Sequence, residues 1–145
     1  MNWQKEAVNE LRKYRARRQA LENMAERRAT LEDAFRGVRC AAADAIPVQG
    51  GANRMEDSLI NNIVERERLY WTMEATRRLV ELTERGLAGL TEPQRVVLEK
   101  FYIDRPSDHV GWLTEYLNVE KAQVYRIKDN ALYQFTTAMY GLSDY

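Results

Sequence analysis

Apolar residues recur along the first forty positions at Leu11, Tyr14, Leu21, Met24, Leu31, Phe35 and Val38, separated by steps of three, four or seven. No proline interrupts them, and the first glycine is Gly37. The pattern predicts one long helix from about Trp3 to Cys40, with a narrow seam broken at Arg18 and Arg28. A helix so rich in Arg, Glu, Lys and Gln buries too little area alone and needs a partner along its length. Pro47 and the Gly50-Gly51 pair end regular structure, which places a loop at about 44–54. A second helix is expected from about Glu56 to Glu84. Its seam is Leu59, Ile63, Tyr70, Met73 and Val80, widened by Ile60, Val64, Trp71, Leu79 and Leu82. Arg85-Gly86 supplies the basic residue and glycine that suit a helix C-terminus. Two long helices of similar length imply an antiparallel, coiled-coil-like hairpin over 1–88, read as a scaffold or oligomerisation element.

From Leu90 the pattern changes to short helices, defining a second region, 90–145. Thr91-Glu92-Pro93-Gln94 is a helix start, since Thr91 can cap, Gln94 can reach back and Pro93 suits the first turn. The helix Glu92–Tyr102 is expected to bury Val97, Leu98 and Phe101, and to break at Ile103-Asp104-Arg105-Pro106-Ser107. A short helix from about His109 to Leu117, a turn at Asn118-Val119-Glu120, and a final helix from Lys121 to Tyr140 closed by Gly141 complete an all-α chain.

Short helix, tight turn and longer helix make the outline of a helix-turn-helix. Such a unit needs apolar residues where its helices cross: Leu113 and Leu117 on the first, Val119 in the turn, Val124 and Ile127 on the second. The sharp turn favours a residue that tolerates positive φ, and Asn118 stands there. Thr114 occupies a close approach where Ala or Gly is usual, and Glu120 replaces the favoured Ser or Thr cap. A helical corner with no nucleic-acid role would select similar apolar positions. With Val124, Ile127 and Ala131 inward, the opposite side of the last helix carries Ala122, Tyr125, Arg126 and Asp129, flanked by Lys121 and Lys128. In a major groove Arg126 could pair bidentately with guanine and Ala122 could meet a thymine methyl. Lys121, Lys128 and the Tyr125 hydroxyl could reach phosphates, while Asp129 is either an acceptor for cytosine or a repulsive element. The competing reading of this face is simply a solvated charged surface.

Charge tempers the nucleic-acid reading. Among 145 residues, 22 Lys and Arg balance 22 Asp and Glu. Residues 1–36 carry +3, residues 37–90 −1 and residues 91–145 −2. A dedicated DNA binder usually shows basic excess, because phosphate neutralisation supplies most non-specific affinity. Only seven glycines and three prolines argue against a β-sandwich. No run approaches the roughly 18 apolar residues of a membrane span, so no membrane partner is expected. The charged start MNWQKEAVNELRKYRARR is unlike a signal peptide, giving a cytoplasmic expectation.

Leu90-Thr91-Glu92-Pro93-Gln94-Arg95-Val96-Val97-Leu98, then Leu113 to Val119, then Val124-Tyr125-Arg126-Ile127 with Ala131-Leu132 and Phe135, resembles region 4 of sigma-70-type factors. Tyr125-Arg126 here replaces the Arg-Gln pair of that pattern. With its helical N-terminal half, the chain is similar to small phage and prophage regulators of the ArpU and RinA type. The resemblance covers 90–141 by motif and 1–85 only by architecture and length. It implies a sigma region 4-like helix-turn-helix bundle after the hairpin, and transcription control in a bacterial host cell through double-stranded DNA and RNA polymerase.

Enzymatic chemistry finds little footing. His109 is the only histidine, beside Asp108, and reads as a surface or capping residue. Cys40 is the only cysteine; Arg36 and Arg39 are near in sequence, but no base partner is. A zinc site would have to be carboxylate-rich, and no Gly-rich loop precedes a phosphate-binding lysine. Trp3, Trp71 and Trp112 are expected to pack between helices. No catalytic residue, metal or cofactor is therefore expected. The regulator reading predicts a homo-oligomer, a dimer or higher, because one near-neutral module would bind DNA weakly. Two other readings fit the same helices: a packaging adaptor resembling a small terminase subunit, and a protein–protein module with Tyr125 and Arg126 facing a protein.

Overall fold

The computed structural model describes residues 2–44 and 51–142. Within them the chain is all-α: α1 Trp3–Asp44, α2 Gly51–Ala88, α3 Glu92–Leu98, α4 His109–Leu117 and α5 Lys121–Tyr140, with a π-helical turn at Glu99–Ile103 after α3. No helix described is long and apolar enough to cross a membrane. Of the loop expected at 44–54, residues 45–50 lie outside the described residues, and Gly51-Ala52-Asn53-Arg54 are already helical.

The contacts divide the chain into two compact units, Met1–Arg18 with Arg78–Tyr145, and Gln19–Arg77. The boundary expected near 88–90 therefore falls elsewhere, because both ends of the hairpin join the C-terminal helices. Ala7 and Leu11 of α1 and Leu87 of α2 share one core with Leu98, Ala131, Leu132 and Phe135. Tyr14 donates its hydroxyl hydrogen to Glu84 at 2.9 Å, and Trp3 packs on Tyr140 with ring centroids 5.0 Å apart. α2 does not end at Arg85-Gly86 but runs to Ala88, since the bare Cα of Gly86 admits the Phe135 ring. Thr91 accepts from the Gln94 amide while Gln94 accepts from the Thr91 amide, which fixes the start of α3. The expected helix to Tyr102 is α-helical only to Leu98. Beyond it the chain widens, and the Asp104 amide donates to the Glu99 carbonyl, five residues back, at 2.8 Å.

In the second unit α1 and α2 pair as the two arms of an antiparallel hairpin. The inner face of α2 is Met55, Leu59, Asn62, Arg66, Leu69, Met73 and Thr76, in strict alternating steps of four and three. Three of these, Asn62, Arg66 and Thr76, are polar residues that hydropathy alone passes over. Asn62 donates to the Leu31 carbonyl at 2.8 Å, and the Arg66 guanidinium lies 4.6 Å from the Phe35 ring centroid. Arg28, an expected gap in the α1 seam, is exposed and lies 5.8 Å from the Tyr70 ring centroid at the edge of the pairing. Ile63 and Tyr70, expected on the seam, stand largely exposed.

Candidate nucleic-acid interface

Asp108 begins the local order, accepting from the Gly111 amide at 3.1 Å to cap α4. Thr114 fits at its close approach because its hydroxyl donates back to the Gly111 carbonyl at 2.8 Å. Asn118 then adopts the left-handed conformation, φ 53° and ψ 50°, the only non-glycine positive φ among the described residues. Its amide and that of Val119 both close on the Thr114 carbonyl, ending α4 and redirecting the chain. Glu120 supplies no side-chain cap to α5; its carbonyl accepts from the Gln123 and Val124 amides.

Leu113 and Val124 are fully buried in one cluster with Val96, Val97 and Phe101. Leu117, Val119 and Ile127 pack against it, half-buried. Of the six residues singled out as the core of the turn, the five apolar ones thus meet around one crossing, and Asn118 stands exposed at the bend between them. Of the six singled out on the outer side, Lys121, Ala122, Tyr125, Arg126 and Asp129 are exposed. Among the described residues neither Lys121 nor Arg126 has an ion-pair partner. Lys128 is placed differently. Its ammonium lies 3.1 Å from the Asp129 carboxylate and over the rings of Phe101 and Tyr125, leaving its side chain mostly covered.

Phe101 is the hinge of a grouping that sequence reasoning missed. Its ring meets His109 edge-on at 4.6 Å and Tyr125 at 5.9 Å. The Arg105 Nε donates to His109 Nδ1 at 3.4 Å. Burial, and secondarily the Arg105 charge, hold the imidazole below its ordinary pKa, with Asp108 opposing. Phe101, Arg105 and His109 are spaced by four, the signature of one helix face, but Pro106 breaks the helix and hides the relation. Nearby, Trp112 and Tyr116 stack with centroids 4.9 Å apart, both exposed, and Lys100 sits over Trp112 at 4.6 Å. The interhelical packing expected of the tryptophans holds for Trp3 and fails for Trp71 and Trp112, which stand outward.

Among the described residues no three His, Cys, Asp or Glu side chains converge where a metal ion could sit. Cys40 is exposed and free. On α5 the Arg126 guanidinium and the Lys121 ammonium stand exposed, side by side with the Tyr125 ring. No protein-family model matches this chain, and no curated protein or solved structure compared with it does either.

Proposed function

We propose that this chain is a non-enzymatic, DNA-binding transcription regulator of phage type, whose α5 enters the major groove. The observation that carries the reading is the left-handed Asn118 between a helix held by Leu113 and one held by Val124, which turns Tyr125 and Arg126 to solvent. Arg126 reads a base edge and Lys121 holds a phosphate, so one side chain specifies and the other positions. RNA polymerase is the protein partner in this proposal, and a homodimer supplies the second half-site that a near-neutral module needs. Gel shifts on the DNA flanking its own gene, at low and moderate salt, test it. Retarded bands that weaken with salt are expected, and folded protein that binds nothing at low salt overturns it.

A protein-docking module is the second reading, favoured by the net −2 of residues 91–145 and by the exposed Trp112–Tyr116 stack. Substituting Arg126→Ala and Lys121→Ala separates the two. DNA affinity falls if α5 reads DNA, and whatever DNA affinity exists is unchanged if the face meets a protein.

A further inference from the structure

α2 carries a second apolar stripe on the side away from its partner helix. Ile60 is 50% exposed, Val64 48% and Trp71 60%, while Ile63 at 46% and Tyr70 at 42% lie on the flank between the stripe and α1. At 100° per residue Ile60, Val64 and Trp71 lie within about 40° of one another, roughly opposite the inner face of Asn62, Leu69 and Met73. The Tyr70 ring abuts Trp71 edge-on at 5.3 Å and is itself held by Arg28, so the projecting indole has a firm base.

We propose that this stripe is the seat of a second copy of the chain, joined through antiparallel α2 helices about a twofold axis between Glu67 and Arg68. That register sets Val64 against Trp71 of the second copy and Ile60 against its Ala75. It also brings Glu67 opposite Arg68 of the second copy, and the reverse, giving two ion pairs at the axis. Among the described residues neither side chain has an ion-pair partner within its own chain, whereas the neighbouring Glu65 is taken by Arg27 and Glu74 by Arg77. A parallel pairing would instead oppose Glu67 to Glu67 and Arg68 to Arg68, so charge selects the antiparallel arrangement. The stripe and its flanks on two copies remove on the order of 1,000 Å² from water, the lower range for a specific interface.

Sedimentation of the full chain without DNA tests this independently of the regulator reading. Twice the 17.0 kDa chain mass is expected at micromolar concentration. Val64→Glu with Trp71→Glu halves that mass with helicity unchanged. Glu67→Arg or Arg68→Glu alone weakens association at least tenfold, and the two together in one chain restore it, because the swapped charges still meet across the axis. A single-chain mass for the unaltered protein, a ring-sized assembly, a dimer indifferent to the Val64 and Trp71 changes, or a double swap that fails to restore association overturns the proposal.

Discussion

The Phe135 ring lies so close over Gly86 that a Cβ built on the glycine would stand 2.7 Å from ring carbon Cε2 and 3.0 Å from Cδ2. Phe135 is fully buried among Leu98, Ala131 and Leu132, so the ring has little room to yield. Gly86→Ala gains helix propensity of up to about 1 kcal/mol. Overpacking against the ring outweighs that gain, and the net loss is about 1–2 kcal/mol in chemical denaturation. Adding Phe135→Leu removes the clash, so the double variant loses less than the sum of the two single losses. A Gly86→Ala protein as stable as the parent would show that the contact relaxes freely.

Asn118 tolerates its left-handed backbone because a short polar side chain does so at small cost. Asn118→Gly should keep stability within a few tenths of a kcal/mol, whereas Asn118→Ala should lose about 1 kcal/mol. Denaturation of the three proteins side by side decides it, and equal stability of the Ala and Gly variants would remove the conformational argument.

The turn was legible because its requirements are local: one residue for positive φ, and five apolar side chains at fixed offsets. The same is true of the Thr91–Gln94 cap and of the Gly141 terminus, which takes φ 81°. Less could be read where tertiary packing overrides local preference. Gly86 looks like a helix terminus, yet it serves a close approach from a residue 49 positions away. The inner face of α2 includes Asn62 and Arg66, so hydrophobicity alone draws the seam toward Ile63 and Tyr70, which face outward. Tyr125 and Arg126 are legible as exposed because Val124 and Ile127 fix the inward side of the helix. The folding of Lys128 back toward Phe101 and Asp129 was not, because it depends on a ring supplied by the π-helical turn.

Stability and recognition should separate cleanly across the turn. Leu113→Ala opens a cavity in the buried cluster and costs about 2–5 kcal/mol of stability. Arg126→Ala touches no core contact and should leave the denaturation midpoint unchanged, yet weaken specific DNA binding by about 1–3 kcal/mol. Lys121→Ala should weaken binding evenly across sequences and lower the salt slope by about 1. Titrations of matched and scrambled DNA at several salt concentrations read all three effects. An Arg126→Ala protein with unaltered discrimination would remove that residue from the proposed interface.

His109 gives the molecule a mild acid sensitivity whose sign follows from its surroundings. Burial and the Arg105 guanidinium lower its pKa from the ordinary 6.5, and Asp108 only partly offsets them. The neutral ring also keeps Nδ1 free to accept from Arg105 Nε, a bond that protonation removes. The unfolded chain has no such constraint, so as pH falls through about 6.5 it takes up the proton more readily than the folded one. The contribution of His109 is therefore fully present above about 6.5 and declines below it. Between about pH 7.5 and 5.5, above the range where ordinary carboxylates titrate, the denaturation midpoint should fall in the parent protein. It should fall less in Arg105→Gln and least in His109→Gln. An identical pH slope in all three would show that the folded and unfolded imidazoles hold their protons equally well.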